Sequence, residues 1–415
     1  MVTSANRDGY AGANVSKIIA EADVSRPTFY DYFEDKDDCF LAALGDIQER
    51  LLGEIRSAVC EHAPQQAMQA GLEAVLAFAS QEPEQALFLC SQAMAAGPKA
   101  LDARDHGLAE IETVLDGAHA QAPPTAPIPD ISPSVAIGGV YRLLASRLRR
   151  GEPGVSRTLE DLTAWLSSYE RPASELRWRD LKASNPGPAP TGLAVGPLPA
   201  PSPLGPGRPG LSKEEVAANH RARILHAAAQ LAEKKGYNAT TIADITRLAG
   251  VDGRAFYAAF ADKQDAFMAV HELGAQQVMN ATAGAFFSGA SWPERVWEAG
   301  RAFSGFLQSN PMIAQVGFVE AYAVGPGAVQ RVEDSHITFT IFLQEGYQQK
   351  PPRTPPSRLA LEAIITSIFE IVYREARGRK EPQVTGMLGH MVFLALAPFL
   401  GADEANRFID EKTSG

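Results

Sequence analysis

Residues 15–40 read VSKIIAEADVSRPTFYDYFEDKDDCF, and residues 242–267 read IADITRLAGVDGRAFYAAFADKQDAF. At an offset of 227 positions Ile18 falls on Ile245, Ala22 on Ala249, Phe29 on Phe256, Tyr30 on Tyr257, Phe33 on Phe260 and Phe40 on Phe267. The register extends back to Gly9-Tyr10 on Gly236-Tyr237 and includes Asp35-Lys36 on Asp262-Lys263. One local unit occurs twice.

The kept residues describe that unit. Ile18 and Ala22 lie one helical turn apart, as do Phe29 and Phe33, and the residues between Ala22 and Ser25 break the period. This is the pattern of two short helices joined by a tight turn. In the second copy Gly250 suits a left-handed C-cap and Asp252 can cap the next helix; in the first, Asp23 takes the glycine position and Ser25 the cap. Pro27 falls in a first helical turn, where a missing N–H is harmless.

The run Ser25-Arg26-Pro27-Thr28-Phe29-Tyr30-Asp31-Tyr32-Phe33, followed by Asp35 and Lys36, resembles the recognition helix and following lysine of the TetR family of one-component regulators. The second copy matches further upstream: Ile224, Leu225, Ala228, Leu231 and Ala232 predict a helix ending at Gly236-Tyr237, and Thr241 with Asp244 predicts a capping box. The resemblance implies an all-α chain of two units, each an N-terminal helix-turn-helix head followed by a helical ligand-binding and dimerisation domain. The divisions expected are a head at 1–45, a regulatory domain at 46–182, a linker at 183–212, a second head at 213–272 and a second regulatory domain at 273–415.

Before Gly9 there are too few residues for the full first helix that precedes Gly236. Either the first head is truncated or the start codon lies upstream, the latter being favoured by the intact pattern from Val15 onward. Beyond the heads the punctuation repeats as well: Pro83, Gly97 and Pro98 answer to Pro311, Gly325 and Pro326 at an offset of 228. The duplication therefore covers nearly the whole unit. Between the copies the Pro-, Gly- and Ala-rich run has no period and cannot bury a core. Extended at ~3.1 Å per residue, it reaches on the order of 80 Å. Arg208, Ser212 and Lys213 at its end are either a basic arm or a charged linker terminus.

The 415 residues carry a formal charge of −11, so contacts with DNA must be local. Cys39, Cys60 and Cys90 share no metal-ligand spacing, which reads as a reduced, cytoplasmic interior. The most apolar run, Met391 to Leu400, is too short to span a bilayer. No nucleophile set, metal cluster, cofactor motif or P-loop can be assembled, and an enzyme is not expected.

The resemblance implies that Arg26 and Thr28 face bases, Tyr30 and Tyr32 meet backbone or a thymine methyl, and Lys36 pairs with a phosphate; in the second head the counterparts are Tyr257 and Lys263, with Arg254 and Thr241 added. The two recognition helices differ in chemistry, so a non-palindromic duplex operator is expected. In the second regulatory domain aromatic residues including Phe318, Tyr322 and Phe339 are either core or the lining of an apolar effector pocket, with Tyr322, Glu320 or His336 as polar anchors. The last two long helices of each unit carry surplus apolar surface. They predict either an intrachain pseudo-dimer or a homodimer of chains. The function expected is an effector-controlled DNA-binding repressor; the alternative is a former regulator that now binds a ligand or partner, with its DNA binding weakened.

Overall fold

The computed structural model describes residues 1–151, 155–181, 200–203, 211–349, 355–378 and 383–414. The sequence-predicted linker therefore lies largely outside the described residues, as does Arg208.

The described chain is helical apart from one short antiparallel ribbon, Pro127–Pro129 with Glu170–Pro172, which the sequence did not announce. Each head is a first helix, a helix-turn-helix and then a long helix that leaves the head. In the first copy these are Val2–Gly12, Val15–Ala22, Arg26–Tyr32 and Lys36–Glu61; in the second, Lys213–Ala239, Ile242–Ala249, Gly253–Ala259 and Lys263–Phe286. The long helix crosses the expected boundary between head and regulatory domain in both copies. A head therefore cannot tilt without carrying the start of its regulatory domain with it.

The first helix is the largest difference between the copies. Residues 2–8 supply about two turns before the chain breaks at Gly9, whose φ of 72° matches the 80° of Gly236. In the second copy the longer helix starts from Ser212, which forms a capping box with Glu215, and it buries Ile224, Ala228 and Ala232. That helix joins Ile245, Phe256 and Phe260 to the main core, whereas Ile18, Phe29 and Cys39 of the first head form a small core of their own. Area burial drives cohesion, so the first head is the more loosely held.

Regulatory helices follow each head. Those of the first unit include Ala67–Gln81, Pro98–His119, Pro133–Arg149 and Val155–Ser167; those of the second include Trp292–Ser309, Arg358–Gly378, Leu388–Leu400 and Ala402–Thr413. Two stretches depart from the α-helical form. Phe88–Gln92 is a π-helical turn, and Thr338–Gln348 is a 3-10 helix.

Helix Pro133–Arg149 packs along helix Arg358–Gly378, so the units meet within the chain. Gly138 and Gly139 permit the close approach. A Cβ on Gly139 would stand 2.9 Å from the Ser367 backbone, and one on Gly138 would stand 2.7 Å from Glu370 Cγ. Substituting Gly139 by leucine should therefore force the helices apart and lower stability by about 1–3 kcal/mol, the usual cost of overpacking; urea unfolding measures it.

The contacts obey a local two-fold. With the offset of 228, Gly139 faces its own counterpart Ser367, and Arg142 Nε donates to its own counterpart Glu370 at 3.0 Å. Away from the axis, Arg149 pairs with Glu333 while their counterparts Arg377 and Asp105 pair at 3.2 Å. That reciprocity is the mark of an isologous interface. Around Glu370, which is wholly buried, Arg104 donates twice, at 3.0 and 2.8 Å, and Arg142 Nη1 reaches the Tyr322 hydroxyl at 2.7 Å. Burial alone would push the Glu370 carboxyl up, but Arg104, Arg142 and Arg374 hold it down at about 2.

Candidate nucleic-acid interface

Local chemistry fixes both heads in the same way. Ser25 Oγ accepts from Thr28 N at 3.2 Å, and Asp252 Oδ1 from Ala255 N at 2.8 Å, so each recognition helix starts from a side-chain cap. The turn before it needs a left-handed residue, supplied by Gly250 at φ 61° and by Asp23 at φ 51°. Thr241 and Asp244 form the expected capping box. Phe29 and Phe256 are buried, which removes them from any contact with DNA.

The exposed face of the first recognition helix offers Arg26, Tyr30 and Tyr32, the last two 50% and 77% exposed. Arg26 is braced by Ser16, whose hydroxyl accepts from Nη2 at 2.7 Å, and Thr28 is half-buried with its hydroxyl 2.8 Å from Ser25 Oγ. In the second head Arg254 and Tyr257 are exposed. Arg247, on the helix before, is also exposed; its outward position, opposite Ile245 and Ala249, was the signal that could have found it.

The lysines and Thr241 are engaged inside the heads. Lys36 Nζ donates to Tyr10 O at 3.0 Å and lies 3.9 Å from the centre of the Tyr10 ring. Lys263 repeats this on Tyr237, at 2.9 and 4.0 Å, and adds Thr240 O at 3.0 Å. Burial lowers both ammonium groups from the ordinary lysine value. Their geometry is that of a clamp closing the end of the first helix, with little reach left for the phosphate expected of them. Thr241 Oγ1 is likewise committed to Asp244, donating to Oδ2 at 2.7 Å.

Charge separates the heads. Residues 1–45 hold four basic and eight acidic side chains, whereas 213–272 hold eight of each. Part of that acidity is structural: Asp35 and Asp38 in the first head cap and brace the long helix, as Asp262 and Asp265 do in the second.

Of the effector residues, Phe318 and Phe339 are brought together and Tyr322 is not. Phe339 borders an apolar cavity of about 70 Å³ with Phe303, Phe369 and Met391, while Phe318 and Phe339 border a second of about 30 Å³ beside His271 and His336. Ligand pockets are usually several hundred Å³, so aromatic packing fills this domain. Tyr322 leaves the pocket altogether, because its hydroxyl accepts from Arg142 across the contact between the units. Glu320 turns to its own head instead, accepting from Tyr237 N at 2.7 Å and Gln315 Nε2 at 3.2 Å; burial nevertheless raises its carboxyl. His336 lies against Phe318 and Phe369.

Burial lowers His119 and His271 to about 4 and His336 well below 6.5. Such neutral histidines contribute stability that is complete above about pH 6.5, their unfolded value, and is lost as the pH falls toward 4. The unfolding free energy should therefore be smaller at pH 5 than at pH 7, and His271→Phe should flatten that slope; urea titrations at the two values measure both.

No helix among the described residues is long and apolar enough to cross a membrane. The family model described as bacterial regulatory proteins, tetR family, matches residues 3–43 and again residues 224–270. Among solved structures, the fatty acid degradation regulator FadR from Bacillus halodurans is similar at 16% identity and a TM-score of 0.39, over 47% of this chain and 97% of its own. A bacterial regulatory protein in the tetR family from Rhodococcus RHA1 is similar at 23% identity and a TM-score of 0.37, over 46% of this chain and 100% of its own. No curated protein matches the sequence. With the family's head matched twice and built twice from the same caps, glycine break and clamping lysine, the chain belongs to the TetR family and carries two of its units in tandem.

Proposed function

We propose that the chain is a DNA-binding transcriptional repressor whose two heads act as one reading pair within a single polypeptide. The observation that carries the pairing is the Arg142–Glu370 contact. A homodimer built on either helix would set Arg142 against Arg142 or Glu370 against Glu370, whereas the intrachain arrangement sets a cation against an anion at 3.0 Å. The Arg149–Glu333 and Arg377–Asp105 pairs support the same partner choice.

Each recognition helix enters a major groove, with Arg26, Tyr30 and Tyr32 reading one half-site and Arg254, Tyr257 and Arg247 reading or flanking the other. Because these sets differ, the half-sites differ, at a spacing of about one helical turn, ~34–36 Å. An effector that prefers one separation of the heads tilts the long helices near Leu44 and Val270 and lowers operator affinity. The Glu320 carboxylate, joining the second head to its regulatory domain, supports such coupling.

Footprinting on DNA from the chain's own upstream region tests the reading. Two adjacent protected half-sites of unlike sequence are expected. A symmetric palindrome covered by two chains would overturn the intrachain pair.

A further inference from the structure

A second break in the internal symmetry lies where each regulatory domain meets its head. In the second unit Glu320 accepts from Tyr237 N at 2.7 Å and latches head to domain. Its counterpart at the offset of 228 is Gln92, and the counterpart of Tyr237 is Tyr10; among the described residues no hydrogen bond joins these two. Between them is a cavity of about 460 Å³.

The cavity is built from both units. Gly9 and Tyr10 of the first head form one side and Tyr322 to Gly325 of the second unit another; Gln92 and Arg149 come from the first regulatory domain. The π-helical turn Phe88–Gln92 shifts the helical register there and brings Ser91 and Gln92 to the cavity wall; such turns recur at functional sites. Gln92 is 93% buried, being 7% exposed, and no partner meets its amide among the described residues. Arg149 donates through Nη1 to Ser91 at 2.5 Å and through Nη2 to Glu333, while its buried Nε–H has no partner. Leu87, Ala95, Val324 and Val329 add apolar wall.

The Gln92 amide and the Arg149 guanidinium beside apolar surface, in a volume within the several-hundred-Å³ range of ligand pockets, fit a small molecule with a carboxylate at one end and an apolar body. We infer that this cavity between the units binds such an amphipathic carboxylate, held by Gln92 Nε2 and the Arg149 guanidinium, and that the bound molecule supplies to the first head the latch that Glu320 supplies to the second. The site replaces the small aromatic cavities as the effector's seat. Its occupancy stands apart from the DNA-binding reading, on which only the consequence for the operator rests, so the test contains no DNA.

The probe is 2-naphthoate, titrated into the full chain and followed by calorimetry, with neutral 2-naphthamide as comparison. One 2-naphthoate per chain should bind at least tenfold more tightly than 2-naphthamide. Gln92→Leu should weaken 2-naphthoate by roughly 10- to 150-fold, the range for one hydrogen bond to a charged group. Gly327→Trp, at a cavity position where an added Cβ meets nothing within 4 Å, should weaken it at least tenfold; circular dichroism checks that each variant is folded. Hydrogen exchange at residues 9–11 should slow several-fold with 2-naphthoate bound. No saturable binding up to millimolar probe, or equal affinity in wild type and both folded variants, would overturn the inference.

Discussion

Replacing Glu370 by leucine is expected to lower the unfolding free energy by about 3–5 kcal/mol, the usual cost of removing one partner from a buried ion pair. Leucine leaves Arg104 and Arg142, 1% and 7% exposed, with no carboxylate between them and two guanidinium groups facing each other in a low-dielectric contact. Burial disfavours both charges, and neither can lose its proton at accessible pH. Urea unfolding of the full chain reads the loss. Changing all three together, Glu370→Leu with Arg104→Met and Arg142→Leu, should restore most of it, since apolar replacement of a buried ion cluster is often neutral or better. Acid should act on the same cluster. Because the Glu370 carboxyl is held at about 2, below the ordinary 4.5, its contribution is complete above about pH 4.5 and falls away toward pH 2.

Arg254→Ala should cost about 1–3 kcal/mol of operator binding, roughly 5- to 150-fold, if the guanidinium reads a base edge. The loss should map to one half-site alone. Arg26→Ala should produce the matching loss at the other half-site, and the double variant should approach non-specific affinity. Gel-shift titrations against operators mutated in one half-site at a time separate the two. The first head is expected to contribute less total affinity, because its four basic side chains stand among eight acidic ones and each phosphate contact draws on counterion release. Neither lysine clamp belongs in this comparison: Lys36→Met or Lys263→Met removes the cation over Tyr10 or Tyr237 and should lower head stability rather than sequence preference.

The heads were legible in the sequence because their determinants are local. Ser25, Asp252, Gly250 and the Thr241–Asp244 pair each act within four residues, and the helix period around Ile18 and Phe29 needs no tertiary information. The openings of several regulatory helices are local in the same sense, since Pro98, Pro133 and Pro311 each stand in a first helical turn.

What failed to show was determined at a distance along the chain. Tyr322 reads as one more aromatic residue of its own domain, and only the approach of Arg142, 180 positions away, draws it to the contact between the units. Lys36 and Lys263 were assigned by family position, although a carbonyl 26 residues earlier sets each one's geometry. The Gly138-Gly139 pair carries no local signal for a helix crossing, because the Ser367 and Glu370 atoms that require it lie on the second unit. The empty place of the latch beside Gln92 was likewise hidden, since it becomes visible by comparing two folded copies rather than two strings of residues.

The central claim is that two unlike heads on one chain read DNA together. Fluorescence anisotropy of the full chain with a labelled duplex from its own upstream region, in excess competitor DNA and across a salt series, tests it most directly. Specific binding at one chain per duplex is expected, with a shallow salt slope set by few phosphate contacts. Equal affinity for the upstream duplex and the competitor at every salt concentration would contradict it.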